Sequence, residues 1–236
     1  LFSNTTASYG TAVGYQAAYS NTTGFANVAL GESALKANTT ASYNVALGHQ
    51  TLFSHTGSGI NTAVGALAGY TTTSGGSNTF IGTQAGYLNT TASNNTAVGY
   101  VAGYSTTTGA LNTFVGREAA YSNTTGQHNV AIGQSANYAN TTGNYNVSLG
   151  SQALRFNTTA SNNTAVGYQA AYKNTTGTLN TYIGEQAGFW STTGSSNTAL
   201  GADAYAAANT ATGSYNTAIG QAALWSNTTA SNNTAV

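Results

Sequence analysis

The chain lacks cysteine altogether and contains very few charged residues. Because there is no cysteine among its 236 residues, a disulfide framework and a thiolate metal site are both excluded. Charged residues make up 3% of the chain, against about a quarter in ordinary soluble domains, and the formal net charge is zero. The sequence therefore offers no basic face for nucleic acid and no polybasic patch for anionic lipid. Solubility must come from uncharged polar residues, so we expect glycan or partner chains to cover the surface.

Long apolar runs are also missing. No stretch approaches the roughly 18 consecutive apolar residues of a membrane-spanning helix, so no membrane span is predicted. The sequence begins at Leu1 and ends at Val236, both in the middle of a repeat, without Met or a signal-peptide pattern at the start. We interpret residues 1–236 as one continuous repeat array within a longer fibre, with no capping or anchor domain in this window.

Groups that could perform catalysis are scarce. The chain has four carboxylates and three histidines, and general acid–base chemistry needs two such groups within reach of one substrate. Glu32, Glu185 and Asp203 fall at solvated corners, and Glu32 lies several repeats from the other two. We therefore predict no enzymatic activity, no cofactor and no metal site. The histidines lack a metal-ligand spacing and are expected at the surface: His49, His55 and His128.

What the chain does have is a seventeen-residue repeat. Its core reads Asn27-Val28-Ala29-Leu30-Gly31, and we number the repeat from this Asn as position 1. A strict period in this range indicates a stack of like units in which each unit touches its neighbours. The residues at position 1 are Gly10, Asn27, Asn44, Asn61, Asn78, Asn95, Asn112, Asn129, Asn146, Asn163, Asn180, Asn197, Asn216 (after a two-residue insertion) and Asn233.

The repeat predicts a turn made of strand, corner, strand and corner. Position 2 is Thr or Val and position 4 is always aliphatic, which favours a strand. Gly at position 5 suits a tight corner, a second apolar segment with Ala at position 8 follows, and Asn-Thr-Thr forms the other corner. We expect an all-β fold, a β-solenoid of about 14 turns, with an Asn ladder at position 1 and aliphatic stacking at position 4. A helical hairpin of two repeats is disfavoured by the Gly, Asn and Thr content.

The core motif resembles a known family of fibres. In the form Asn163-Thr164-Ala165-Val166-Gly167-Tyr168-Gln169-Ala170 it is similar to the head repeats of trimeric autotransporter adhesins of the YadA type and to shafts of some bacteriophage tail fibres. That resemblance implies a left-handed β-roll, three chains packed around a common axis, and binding of host matrix or receptors. This sequence departs from the family because its repeat is two or three residues longer, and it shows no neck or coiled-coil stalk.

An aromatic row at position 10 is the second regular feature. Lys36, Arg155 and Ala206 interrupt it, and cations in a closed interior would be costly, which favours a rim or an interface between chains. The alternative is that the rings pack on their own roll while the Lys and Arg heads reach solvent. The candidate interface aromatics are Tyr19, Phe53, Tyr70, Tyr87, Tyr104, Tyr121, Tyr138, Tyr172, Phe189 and Trp225.

The Asn-Thr-Thr corner repeats an N-glycosylation sequon. One interpretation is a row of glycans along one edge; the other is that Asn and Thr are simply good corner residues. Weaker matches lie near the strands at Asn94, Asn146, Asn162 and Asn232. The candidate glycosylation sites are Asn4, Asn21, Asn38, Asn89, Asn123, Asn140, Asn157, Asn174 and Asn227.

These patterns favour a structural role. We expect an extracellular fibre, either a cell-surface appendage, a matrix filament or a virion fibre, that self-associates as a homotrimer or filament and carries covalent glycans. A host or surface receptor is a further expected partner. The alternative is a monomeric solenoid that binds ice or carbohydrate. Adjacent Thr residues at the corner argue against an ice-binding face, because neighbours in an extended strand point opposite ways.

Overall fold

The computed structural model describes residues 2–57, 59–207 and 209–236. In these ranges every regular element is a short β-strand, and the chain divides into two compact units, Leu1–Arg117 and Glu118–Val236. The first unit contains β1 (Thr11–Val13), β2 (Val28–Leu30), β3 (Val45–Leu47), β4 (Asn61–Val64), β5 (Asn78–Ile81), β6 (Thr96–Val98) and β7 (Thr113–Val115). The second unit contains β8 (Val130–Ile132), β9 (Val147–Leu149), β10 (Thr164–Val166), β11 (Thr181–Ile183), β12 (Thr198–Leu200), β13 (Thr217–Ile219) and β14 (Thr234–Ala235).

Successive strands within each unit pair in parallel, one turn apart. In the first unit Val28 lies opposite Val45, and in the second Thr164 lies opposite Thr181. Each repeat position therefore meets its own copy in the next turn, and each unit is a parallel β-solenoid, which confirms the predicted all-β stack. The two-residue insertion does not disturb this register, because Thr198 still pairs with Thr217.

The aliphatic residues at position 4 stack in register from turn to turn, as expected, and they do so on the outer face of the strands. Ala46 at position 3 is fully buried, whereas Leu47 at position 4 is only half-buried and Leu30 is exposed. Successive side chains of a strand alternate between its two faces, so a buried Asn at position 1 also places position 3 inside and positions 2 and 4 outside. The interior is lined mainly by Ala at positions 3 and 8, and the aliphatic row lies on the outer surface.

The second apolar segment is not a strand, which corrects the two-strand prediction. Its residues at positions 7 and 9 have left-handed backbone conformations, as at Gln50 (φ 50°) and Leu52 (φ 48°). The segment therefore coils instead of extending, yet it still bonds along the stack. The Gln50 N–H donates to the Glu32 carbonyl at 2.8 Å and the Leu52 N–H donates to the Ala68 carbonyl at 3.0 Å. These bonds satisfy buried backbone groups that the coiled conformation would otherwise leave unpaired.

The predicted Asn ladder at position 1 is present. The Asn78 backbone N–H donates to the Asn61 side-chain oxygen at 3.1 Å, and the Asn78 side-chain amide donates to the Ala92 carbonyl at 2.9 Å. Asn61 and Asn78 are both buried. A buried amide is tolerated only when its donors and acceptors are paired, and the repeat pairs them with equivalent groups one turn away.

Side-chain size inside the first unit is balanced between positions 3 and 9. Where position 3 carries the large ring of Phe80, position 9 is Gly at both Gly69 and Gly86. A Cβ added at Gly86 would lie 2.5 Å from Phe80 Cδ1, and one at Gly69 would lie 2.8 Å from Phe80 Cδ2. Where position 3 is Ala, as at Ala46, position 9 holds a larger residue, Leu52, and both are buried. This exchange keeps the narrow interior filled.

Candidate functional site

The corner Asn residues of the sequons lie inside the solenoid. The Asn21 amide nitrogen donates to the Gly24 carbonyl at 2.8 Å, and the Asn38 amide nitrogen donates to Asn21 Oδ1 at 2.8 Å. An N-linked glycan would be attached through this same nitrogen, so the buried ladder argues against glycans at these positions of the folded chain. The buried members are Asn21, Asn38, Asn89, Asn123, Asn140, Asn157 and Asn174.

Of the remaining sequon residues, Asn146 is buried in the position-1 row and the others lie nearer the surface. Asn4 is exposed and Asn227 is half-buried. The strand-side matches Asn94 and Asn162 are exposed, each in a left-handed backbone conformation just before a position-1 Asn. If the chain carries N-linked glycans, the geometry favours these positions over the corner Asn row.

In most corners the hydroxyl of the first Thr is also committed to an internal bond. Thr22 Oγ1 donates to the Thr39 carbonyl at 3.0 Å, and Thr141 Oγ1 donates to the Thr158 carbonyl at 3.0 Å. These hydroxyls stabilise the stacking of turns. An ice-binding face would need Thr at alternate positions of one strand, all pointing outward, and these hydroxyls do not form such a row.

The position-10 aromatics form stacked columns within each unit. Phe53, Tyr70, Tyr87 and Tyr104 stack with ring centroids 5.1, 5.3 and 5.1 Å apart. The rings are half-buried, and the second unit contains the same arrangement between Tyr172 and Phe189 at 4.9 Å. The rings thus pack on their own roll, and a ring stacked between two others presents its edge rather than its faces to solvent.

Two of the three interruptions in this row are filled by a cation. Lys36 Nζ lies 5.4 Å from the centroid of Phe53. Arg155 Cζ lies 5.7 Å from the centroid of Tyr138 and 5.6 Å from that of Phe156. At these distances a cation is attracted by the ring face. The column therefore accepts either a ring or a cation at each turn.

The third interruption, Ala206, borders a cavity in the second unit. The cavity has a volume of about 590 Å³ and opens to solvent. Its walls include Phe189, Trp190 and Trp225, and Asp203 also lines it. Both tryptophans of the chain line this one cavity. The interruptions were visible in the sequence, but the meeting of Asp203 with the two tryptophans follows only from the stacking of three turns.

A second surface of interest is formed by the outward side chains at positions 2, 4 and 17. We call it the aliphatic face. Between β2 and β13, its most exposed position-4 members range from 37% exposed at Ile183 to 47% at Leu30 and Leu200. None of these three positions carries Lys, Arg, Asp or Glu in any repeat. Exposed large side chains at position 17 border the row: Tyr43, Ile60, Leu111, Tyr145, Leu179 and Tyr215.

Titratable groups are scattered, with one departure from expectation. His49 pairs with Glu32 at 3.3 Å on the surface, and His128 stacks on Tyr145 at 4.8 Å. His55 was expected at the surface but is fully buried at a corner Asn position, where its Nε2 lies 3.2 Å from the Gly59 carbonyl. Burial lowers the pKa of His55. Among the described residues no three His, Asp or Glu side chains gather as a metal site.

No family model, curated protein or solved structure matches the chain. In the described residues no helix is long and apolar enough to cross a membrane.

Proposed function

We propose that this chain is a structural repeat protein that associates with further copies of itself through the aliphatic face. The observation that carries the proposal is the exposed row at position 4. A soluble monomer rarely exposes a long contiguous apolar patch, and such patches commonly serve as interaction surfaces. Here position 4 is aliphatic in every turn, and its side chain is half-buried in some turns and exposed in the others.

The regularity of the face favours a second copy as its partner. The row presents one aliphatic side chain per turn at a rise of about 4.8 Å, without charge and without a pocket. A partner with another spacing would match it at only one or two turns, whereas another copy of this solenoid has the same rise along its whole length. Covering a half-exposed Leu or Ile contributes about 1 kcal/mol, so several turns together supply the free energy of a stable contact.

The proposed assembly follows the resemblance to adhesin heads and tail-fibre shafts. In it, three left-handed rolls pack around a common axis, and the assembly acts extracellularly as a shaft or head that holds a receptor-binding part away from a surface. The function is mechanical: hydrogen-bond ladders along each roll resist bending, and the aliphatic faces hold the rolls together.

Sedimentation velocity tests this proposal over a concentration series. We expect the unaltered chain to sediment as an oligomer and the variant Ile81→Lys/Ile183→Lys to sediment as a monomer, because each Lys places a charge in the contact. Tyr100→Lys/Tyr168→Lys is the matched control, since both Tyr side chains are exposed at position 6, outside the face. A monomeric unaltered chain would overturn the proposal, as would equal loss of association in the control.

One observation favours a second candidate, a monomeric ice-binding solenoid. Position 2 carries Thr in four successive turns of the first unit, at Thr62, Thr79, Thr96 and Thr113, on the same outward face as the aliphatic row. A flat array of hydroxyl and methyl groups at regular spacing is a surface on which water can be ordered. This candidate requires a monomer that inhibits ice recrystallisation and loses that activity in Thr79→Lys.

A further inference from the structure

The three interruptions of the aromatic column differ in what fills them. At Lys36 and Arg155 the chain supplies its own cation against neighbouring rings. At Ala206 it supplies only a methyl group, and the cavity described above occupies the place of the missing side chain. The turns before and after Ala206 carry Phe189 and Trp225 at the same repeat position. Two turns of a β-stack span roughly 10 Å, which leaves room for one group between the two rings.

The surroundings of this gap favour a positive group. Trp190 adds a third aromatic wall, and Asp203 is the only charged residue among the described residues that line the cavity. Aromatic faces attract cations, most strongly for Trp, and a carboxylate adds direct charge attraction. The gap thus offers a cation from outside the chain the kind of aromatic contact that Lys36 and Arg155 make at the other two interruptions.

We propose that the cavity around Ala206 binds an organic ammonium group, of the alkylammonium or quaternary type carried by choline. Phe189, Trp190 and Trp225 contact the methyl or methylene groups, and Asp203 balances the charge. Gln186 at the rim, whose Nε2 donates to Gln169 Oε1 at 3.2 Å, retains its side-chain oxygen to accept a hydrogen bond from a hydroxyl on the ligand.

Lys173 is the nearest competing cation. Its Nζ lies 5.6 Å from the Trp190 centroid, 4.6 Å from Phe156 and 5.3 Å from Tyr172. Lys173 belongs to the turn that precedes Trp190, whereas Ala206 belongs to the turn that follows it. Lys173 and the bound ammonium group therefore lie on opposite sides of Trp190. Lys173 does not fill the cavity, but its charge repels the ammonium group and weakens binding. Lys173→Gln is therefore expected to increase the affinity for the ammonium group.

Intrinsic tryptophan fluorescence reports binding directly, because the only two tryptophans line the cavity. Choline and tetramethylammonium are titrated against 3,3-dimethylbutan-1-ol, the uncharged isostere of choline, and against glucose. We expect both cations to bind and the neutral alcohol to bind at least about tenfold more weakly. Equal affinity for the alcohol, or binding of glucose in place of the cations, would overturn the proposal.

Two variants locate the site. Asp203→Asn keeps the shape and removes the charge, and should weaken choline binding roughly fivefold. Ala206→Lys places a cation in the gap, as the native chain does at Lys36, and should abolish binding. Glu32→Gln, which removes a corner carboxylate of the other unit, is the matched control and should leave affinity unchanged. An unchanged affinity in Asp203→Asn contradicts the assignment even if Ala206→Lys misfolds.

The ammonium group could come from a free small molecule or from a lipid headgroup. Co-sedimentation with phosphatidylcholine vesicles, beside phosphatidylglycerol vesicles as the control, separates the two sources. Binding of free choline alone identifies a small-molecule site; binding of free choline and of phosphatidylcholine vesicles identifies a headgroup site. Both results support the ammonium assignment, and vesicle binding that Asp203→Asn does not reduce would contradict it.

Discussion

The side-chain amide of Asn140 donates to the side-chain oxygen of Asn123, one turn away, at 2.9 Å, and both residues are fully buried. Asn140 also bonds to both backbone groups of Gly143 and accepts from Asn157. Four hydrogen bonds therefore converge on one amide. This side chain sits inside the solenoid as a structural element, although its sequence context is that of a modification site.

Asn140→Ala should lower the free energy of unfolding by about 2–4 kcal/mol, because it leaves buried donors and acceptors without partners. Urea unfolding gives the total effect, and hydrogen exchange at the Gly143 amide gives the local one. Asn227→Ala is the control, since the side chain of Asn227 bonds locally to Ala230 and the residue is half-buried. Equal losses in the two variants would contradict an internal ladder.

Expression in a host that performs N-glycosylation separates buried from exposed sequons. We expect peptide mapping of the folded, secreted chain to find no glycan at Asn123, Asn140 or Asn157, because a glycan there would displace the ladder. Asn94 and Asn162 are exposed and can be occupied. High occupancy at Asn140 in folded protein would show that this amide is not buried.

The pair formed by Phe80 and Gly86 should behave as a size exchange. Phe80→Ala alone leaves a cavity and should cost about 3–5 kcal/mol of unfolding free energy, and Gly86→Leu alone overpacks the interior and should cost about 1–3 kcal/mol or more. The double variant recreates the native combination of Ala46 and Leu52, so most of both losses should be recovered. Urea unfolding of the two single variants and the double variant tests this; additive losses would contradict the exchange.

The stability of the first unit should fall as the pH drops below 6.5. His55 is buried and its pKa is lowered, so between the unfolded pKa of 6.5 and the lower folded pKa the unfolded state binds more protons. Unfolding free energy therefore decreases with decreasing pH in this window. His55→Asn, which places the usual corner residue at this position, should flatten the dependence. The free energy of unfolding is measured from pH 7.5 to 5 for the unaltered chain and for His55→Asn. An identical slope of this free energy against pH in the two proteins would contradict the assignment to His55.

The sequence predicted the period, the parallel stack and the Asn ladder at position 1, because each repeats in every turn. It did not predict which strand face is buried. By hydropathy alone Val166 would be placed inside. The interior is narrow, however, and Ala165 fills it. Because successive side chains of a strand alternate between its two faces, Val166 then points outward. The burial of Asn140 was likewise hidden, since a polar side chain is tolerated inside only through partners that belong to other turns. The cavity at Ala206 required the stacking of three turns.

A cryo-EM map of the assembled chain tests the central claim most directly, because it counts the copies in cross-section and shows which row lies between them. We expect three rolls around a common axis, with Ile81 and Ile183 at the contacts between rolls. A single roll with its position-4 row in solvent would contradict self-association through the aliphatic face.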